Sequence, residues 1–383
     1  MLITNLIIAG SQKKTVELNF FNHISIKCIL INNHWIVKIN NRHIGPSHSP
    51  YIIAEVSANH NNNLDLAKEI IVEAKKCGAD AVKLQTYTPD TITLNSSEDD
   101  FCIRGGLWDG YTLYDLYKEA SLPWDWHKPL FDLAAEIDIT IFSSPFDKSA
   151  IDFLEDLNCP AYKIASFEAI DTELIRYAAS TKKPLIISTG MANEDEISEA
   201  IAAARDGGTE DIAILHCVSG YPAPADDYNL NTLKDMISKF SLVSGLSDHT
   251  IENFTAFGAI GIGASIIEKH FTLSRDNGGP DDSFSLEPSD LKNLVNGSKI
   301  VWSSMGKVDY GLKSSEKSNI QFRRSLYFIK ELPVGHIISE EDIRSVRPGY
   351  GLEPKFYRDL IGKKMFKPSG INTPVTLDHI NPS

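Results

Sequence analysis

The sequence predicts an α/β protein, a (β/α)8 TIM barrel with a small C-terminal domain appended, and three observations predict it. Eight short apolar runs recur between Tyr51 and Glu268. Each is about 5–6 residues long and lacks strict alternation, as parallel strands buried on both faces do. Polar loops and segments of helical period separate the runs, and eight strand–helix units in about 250 residues match the size of such a barrel. No G-x-G-x-x-G follows the first run, which weighs against a doubly wound open sheet, the other architecture that holds eight parallel strands.

Residues 1–35 carry mixed β-like segments without a chemical signature and read as an N-terminal extension of unknown role, either an upstream start-site artefact or dispensable. A short hairpin is expected at 36–40 and 43–45, turning at Asn41-Arg42. The strands are expected at 51–56, 79–84, 139–143, 161–165, 184–188, 211–216, 242–246 and 264–268. Helices are expected at 64–77, 124–137, 149–157, 173–180, 194–206, 231–240 and 253–263. The first of these has apolar Leu66, Ala67, Ile70, Ile71 and Ala74 on one face and Gly78 as its stop. The barrel therefore spans 36–306. Residues 307–321 are polar and serine-rich and read as a linker, and 322–383 form the tail domain. In it, 324–329 reads as a strand, 332–335 as a turn and 339–343 as a helical turn. A tail this small has little core of its own and needs the barrel or a second subunit to lean on.

Composition narrows the function. Of 383 residues, 42% are hydrophobic and 23% charged, which fits a globular protein and argues against disorder. The net charge of −14 opposes general binding of nucleic acid or anionic membrane, so an anionic substrate needs a local cluster of lysine and arginine. The five cysteines are odd in number and contain no C-x-x-C, which fits a reducing compartment. No apolar run approaches the roughly 18–20 residues of a membrane span, and residues 1–10 lack a basic n-region and a cleavage site. A cytoplasmic location is expected.

Catalytic groups of such barrels lie at the C-terminal ends of the strands. Those ends carry Glu55; Lys83 and Gln85; Ser143 and Ser144; Lys163, Ser166 and Glu168; Ser188; His216, Ser219 and Tyr221; Ser247, Asp248 and His249; and Glu268, Lys269 and His270. Two lysines on buried strands are costly unless neutralised. With Ser144, Ser166, Ser188 and Ser247 they suggest a phosphate or carboxylate cradle, while a Schiff-base lysine or a structural ion pair with Glu55 or Glu168 is the plainer reading. His249 and His270, on neighbouring strand ends, are placed to share a divalent metal, and imidazole suits Mn, Fe or Zn better than Mg. The other histidines, such as His23, His34, His43, His48 and His379, read as core or surface residues. Asp281 is either a substrate acceptor or part of a solvated turn. Glu55 is either a proton-transfer group or the counterion of Lys83. Trp124, Trp126 and Trp302 sit at helical spacing and read as packing.

Tyr51-Ile-Ile-Ala-Glu55, Val82-Lys-Leu-Gln-Thr86, Tyr162-Lys-Ile-Ala-Ser166, Ser188-Thr-Gly-Met191, Gly245-Leu-Ser-Asp-His-Thr250 and Glu268-Lys-His-Phe271 resemble the sialic acid synthase family. The tail, with Arg324-Ser325-Leu326 and Arg347-Pro-Gly-Tyr-Gly351, resembles that family's antifreeze-like (SAF, β-clip) domain. Within the family, residues 106–114, 123–129 and 272–288 are most similar to the pseudaminate branch, which condenses phosphoenolpyruvate with 2,4-diacetamido-2,4,6-trideoxy-altrose. Neuraminate and legionaminate synthases, which take manno-configured sugars, are the alternatives, and Ser219 stands where neuraminate synthases typically have Asn.

The resemblance implies the following roles. Lys83, Ser144, Lys163, Ser166, Ser188 and Ser247 hold phosphoenolpyruvate, with Lys83, Lys163 and Glu55 catalytic. Gln85, Glu168, Tyr221, Asp281 and Arg347 contact the sugar. His249 and His270 bind a divalent cation, Mn2+ first and Mg2+ or Co2+ as substitutes. Arg347 enters the neighbouring subunit's barrel, which implies a domain-swapped homodimer. Two other classes remain in view. A metal-dependent barrel aldolase or hydrolase would use the histidines but not need the lysine–serine set. A non-catalytic carbohydrate- or ice-binding protein would need only the tail.

Overall fold

A computed structural model describes residues 35–381 and, before them, the backbone of three strands only: β1 (Ile7–Ile8), β2 (Lys13–Phe20) and β3 (Ile24–Ile31). These pair antiparallel in the order β1-β2-β3. The remainder of the expected extension, and the side chain of Cys28, lie outside the described residues. By its internal contacts the chain divides into two units, Met1–Gly306 and Lys307–Ser383.

In the first unit, β4 (Val37–Ile39) and β5 (Arg42–Ile44) form the hairpin, turning through Asn40 at φ 50, a conformation asparagine tolerates well. Asn40 Nδ2 donates to Thr140 Oγ1 (3.1 Å) and Arg42 Nε to Asp80 Oδ1 (3.4 Å). Both partners lie at strand starts, so the hairpin covers the N-terminal end of the barrel and buries Val37, Ile39 and Ile44 there.

Eight parallel strands close on themselves: β6 (Tyr51–Glu55), β7 (Ala81–Thr86), β8 (Thr140–Pro145), β9 (Tyr162–Ile164), β10 (Leu185–Ser188), β11 (Ile212–Cys217), β12 (Val243–Ser247) and β13 (Ile266–His270). β13 returns to β6 with His270 opposite Glu55, which rules out the open sheet. The helices are α1 (Leu64–Cys77), α2 (Pro89–Ile92), α3 (Leu113–Ala120), α4 (Trp124–Glu136), α5 (Lys148–Asp156), α6 (Thr172–Ser180), α7 (Glu194–Gly207), α8 (Asn231–Phe240), α9 (Phe254–Gly261) and α10 (Pro288–Met305). α1 shows why the helical segments were legible. Asn63 caps it by accepting from the Asp65 and Leu66 amides, Ala67, Ile70, Ile71 and Ala74 bury one stripe, and Gly78 ends it at φ 91. α2, α3 and α10, which opens with Pro288, are helices beyond those the sequence predicts.

The second unit opens with nine exposed residues in a 3-10 helix, Ser314–Phe322. It pairs β14 (Ser325–Phe328) antiparallel with β15 (Ile343–Val346), adds one short helix, α11 (Tyr357–Leu360), and gathers Leu326, Phe328, Leu332, Ile338, Ile343 and Met365 into its own core. The helical turn expected at 339–343 is instead a turn leading into β15. Asp342 Oδ2 accepts from the Ser339 amide and hydroxyl (both 2.8 Å), so Ile343 leaves in extended conformation. Among the described residues no helix is long and apolar enough to cross a membrane.

Candidate active site

Alternation along the barrel strands sorts their terminal polar residues into two sets. Glu55, Lys83, Lys163 and Glu268 point inward, and each is at most 4% exposed. Lys83 Nζ lies 3.0 Å from Glu55 Oε2, 3.7 Å from Glu268 Oε1 and 3.1 Å from Ser144 Oγ. Lys163 Nζ lies 3.2 Å from the same Glu268 oxygen, to which Ser247 Oγ also donates (3.1 Å). Lys269, between Glu268 and His270, points the other way. It is held by Asp248 Oδ2 (2.8 Å) and by the Thr250 and Glu252 carbonyls, so this third buried lysine and Asp248 are a structural pair.

Electrostatics give the inward set an unequal balance. Burial raises Glu55 to about 7, against the pull of Lys83 and with a smaller push from Glu268. Burial acts on Glu268 in the same sense, but Lys163 and Lys83 together outweigh it and hold that carboxyl below its usual range. Burial would depress Lys83, yet Glu268 and Glu55 leave it raised. Lys163, whose burial is less well offset, is lowered. Burial thus favours the protonated form of Glu55 while Glu268 is held ionised, and a bound anion would add to the neutralisation of the two lysines. Ser188 Oγ is buried without a partner, and Ser166 Oγ lies 2.8 Å from Ser219 Oγ. Gly190, at φ 49, lies against that pair: a β-carbon there would sit 2.4 Å from Ser166 Cβ.

His249 and His270 come together with ring centroids 5.4 Å apart. Burial lowers His249 to about 4 and takes His270 well below its ordinary value, so both rings are neutral. His249 Nδ1 donates to the Val218 carbonyl (2.7 Å), which leaves the Nε2 lone pair free. His270 Nδ1 is buried and unpartnered, 3.7 Å from Asp281 Oδ2. Two neutral imidazoles with unused lone pairs fit an open metal site. Among the described residues no group of three or more His, Cys, Asp or Glu is arranged to hold an ion, so solvent or substrate would complete the coordination.

Beside this cluster lies a cavity of ≈ 270 Å³. Ser57, Gln85, Ser166, Glu168, His270 and Asp281 form its polar part. Gln85 Nε2 donates to Glu55 Oε1 (2.8 Å) and Ser57 Oγ (2.9 Å), and Ser57 Oγ to Asp281 Oδ2 (2.5 Å). Tyr221 lines the cavity too and packs on His249, with centroids 4.4 Å apart. Burial raises Glu168 to about 7 and raises Asp281 as well. Arg347 belongs to the second unit, where its side chain is exposed.

Two polar participants do more than the sequence assigns them. Glu268 stands among the strand-end carboxylates and its alternation with His270 places both inside, but the sequence gives it no role. Ser57 lies beyond the strand end and leaves no signal.

The chain matches known proteins along most of its length. Residues 70–310 match the NeuB family and residues 323–381 the SAF domain. The chain belongs to the NeuB family. It is 46% identical over 336 residues to the pseudaminic acid synthase of Helicobacter pylori, covering 87% of this chain and 98% of that protein. Identity to the pseudaminic acid synthase of Campylobacter jejuni strain 81-176 is 44%, over 83% and 92% of the two chains. The N,N'-diacetyllegionaminic acid synthase of Legionella pneumophila is 35% identical over 88% and 96%. A crystal structure of the N-acetylneuraminic acid synthetase of Leptospira borgpetersenii superposes with a TM-score of 0.67 at 29% identity, covering 76% of this chain and 96% of that one. The family, its barrel-plus-SAF architecture and the pseudaminate branch expected from the sequence are borne out.

Proposed function

We propose that the chain is a nonulosonic acid synthase of the pseudaminate type. It condenses phosphoenolpyruvate with 2,4-diacetamido-2,4,6-trideoxy-β-L-altropyranose and water, giving pseudaminic acid and phosphate by C–O cleavage. The observation that carries the reading is the buried lysine pair, held by Glu55 and Glu268, beside a cavity lined by His270, whose ring lies against that of His249.

Lys83 and Lys163, with Ser144, Ser166, Ser188 and Ser247, hold the phosphate and carboxylate of phosphoenolpyruvate. Gln85, Glu168, Tyr221 and Asp281 hold the open-chain sugar with its aldehyde toward His270. A divalent metal on His249 and His270, Mn2+ by preference and Mg2+ or Co2+ as substitutes, supplies Lewis-acid polarisation of that aldehyde oxygen when bound. C3 of phosphoenolpyruvate attacks the aldehyde carbon, and water adds to the electron-poor C2. Glu55, with a carboxyl titrating near neutrality, takes the proton from that water. The tetrahedral centre then collapses with rupture of the C2–O bond to phosphate, and the lysines hold the leaving dianion. Arg347 of the partner subunit anchors an N-acetyl group in a domain-swapped homodimer. The unit boundaries follow as an extension at 1–35, a barrel at 36–306, a linker at 307–321 and a SAF domain at 322–383. The location is the cytoplasm.

Phosphate release from phosphoenolpyruvate with Mn2+ tests the reading. The altrose sugar is compared with N-acetylmannosamine and its 4-acetamido-6-deoxy analogue. Release with the altrose sugar alone is expected. Release with a manno sugar instead would keep the chemistry and move the branch, and no release with any of them from folded, metal-loaded protein would overturn the proposal.

A further inference from the structure

The side of the cavity away from the lysines is apolar, and the residues that make it so come from the stretch between β7 and β8. Ile92, Ile103, Trp108, Leu113, Leu116 and Tyr117 line it. The stripe on α3 is informative. Leu113, Leu116, Tyr117 and Ala120 recur at the spacing of one helical face, and that whole face lines the cavity. A helix spending its apolar face on a cavity wall marks that wall as a surface for a ligand.

Trp108 closes this side. It sits in a loop bracketed by the Cys102–Thr112 β-bridge, by the Ile103 amide donating to the Tyr111 carbonyl and by the Gly110 amide donating to the Ile103 carbonyl. Its indole Nε1 donates to the Pro280 carbonyl (3.2 Å), and its ring lies 5.7 Å from that of Tyr221. Trp108 thus ties the loop to the segment carrying Asp281 and to the tyrosine packed on His249.

We infer that Trp108 and the α3 stripe select the sugar by its C6 methyl group. The inference rests on the synthase reading above. The reacting carbon of the open-chain sugar is C1, and the lysine cluster and His270 fix where C1 must lie. C6 is the other end of the carbon chain, so it points toward the apolar wall. A 6-deoxy sugar presents a methyl group there. A 6-hydroxy sugar presents a hydroxyl that would lose its hydration against Ile92, Ile103, Leu113 and Leu116, none of which can bond it. An apolar pocket distinguishes such groups only modestly, by about 10–200-fold in kcat/KM.

The test pairs 2,4-diacetamido-2,4,6-trideoxy-altrose with its 6-hydroxy counterpart of the same configuration, on the full-length, metal-loaded chain. The wild-type protein should favour the deoxy sugar by about 10-fold or more. Trp108→Ala should bring the ratio to within about threefold, raise KM for the deoxy sugar and leave KM for phosphoenolpyruvate unchanged. Trp108→Phe keeps a ring but loses the bond to Pro280, and should retain most of the discrimination if the wall, rather than the tether, does the selecting. Equal use of both sugars by the wild-type protein, or an unchanged ratio in Trp108→Ala, would overturn the inference while leaving the synthase reading intact. Absence of turnover of either sugar by the wild-type protein would instead remove the synthase reading.

Discussion

Glu168 offers a measurable link between burial and pH. Its carboxyl is raised from 4.5 to about 7, chiefly by burial; Asp171 adds to the rise, while its own backbone amide, Lys163 and Lys83 oppose it. Because the folded value lies above the unfolded one, the folded protein keeps a proton that the unfolded chain has lost between those two pH values. Stability from this group is therefore complete below about 4.5 and is lost as pH rises through about 7. The gap of about 2.5 pH units, at about 1.4 kcal/mol each, sets an upper bound of about 3.5 kcal/mol. Glu168 is not wholly buried, so solvent screening reduces the expected effect to about 2 kcal/mol. Glu168→Gln cannot titrate and should lack this loss. Urea unfolding of both proteins at pH 5 and pH 8, metal-free and with the barrel transition followed, should show the variant gaining about 2 kcal/mol on the wild type at the higher pH. A stability difference that stays flat from pH 5 to pH 8 would refute the argument that burial governs this carboxyl.

Four further outcomes follow from the geometry. Glu55→Ala should abolish phosphate release while leaving the circular dichroism spectrum unchanged, and near-normal turnover would remove Glu55 from the mechanism. Lys269→Ala strands the buried Asp248 carboxylate and should cost about 3–5 kcal/mol in urea unfolding, with the mutant's KM for phosphoenolpyruvate little changed where it remains folded. Ser57 adopts φ 45, so Ser57→Gly relieves backbone strain while taking a hydroxyl from the buried Asp281 carboxyl, and these opposed effects should leave the melting temperature little changed. Loss of its bonds to Gln85 and Asp281 should nevertheless raise sugar KM, and an unaltered KM would show the hydroxyl to be idle. Arg347→Ala should weaken sugar binding far more than phosphoenolpyruvate binding, and the reverse order in steady-state kinetics would sink its proposed role.

The barrel was legible because its signals are local. Asn63, the apolar stripe of α1 and Gly78 state a helix and both its ends within one window, and each buried strand announces itself as a short apolar run. Residues 87–121 were not legible for the opposite reason. Ile92, Ile103 and Leu113 face a cavity, and a sequence does not distinguish an apolar residue turned toward a ligand from one turned toward the core. The site was half readable. Lys83, Lys163 and the two histidines stood at strand ends and could be enumerated. That one oxygen of Glu268 lies between both lysines depends on β13 standing next but one to β7 and opposite β9, a relation created only by closure. The expected counterion Glu55 does pair with Lys83, whereas Lys163 pairs with Glu268 and not with Glu168.

The order Glu268, Lys269, His270 has a consequence for how this chain can vary. Three neighbours in sequence alternate between two environments, chemistry on the inner side and a buried structural pair on the outer. Inserting or deleting one residue upstream within β13 would exchange the two at a stroke. Lys269 would enter the barrel as an extra cation, while Glu268 and His270 would be delivered among the helices. No single compensating substitution repairs three displaced charges and ring nitrogens. The strand is therefore closed to length variation, and engineering for new sugars has its freedom elsewhere, in the loop around Trp108 that hangs outside this frame.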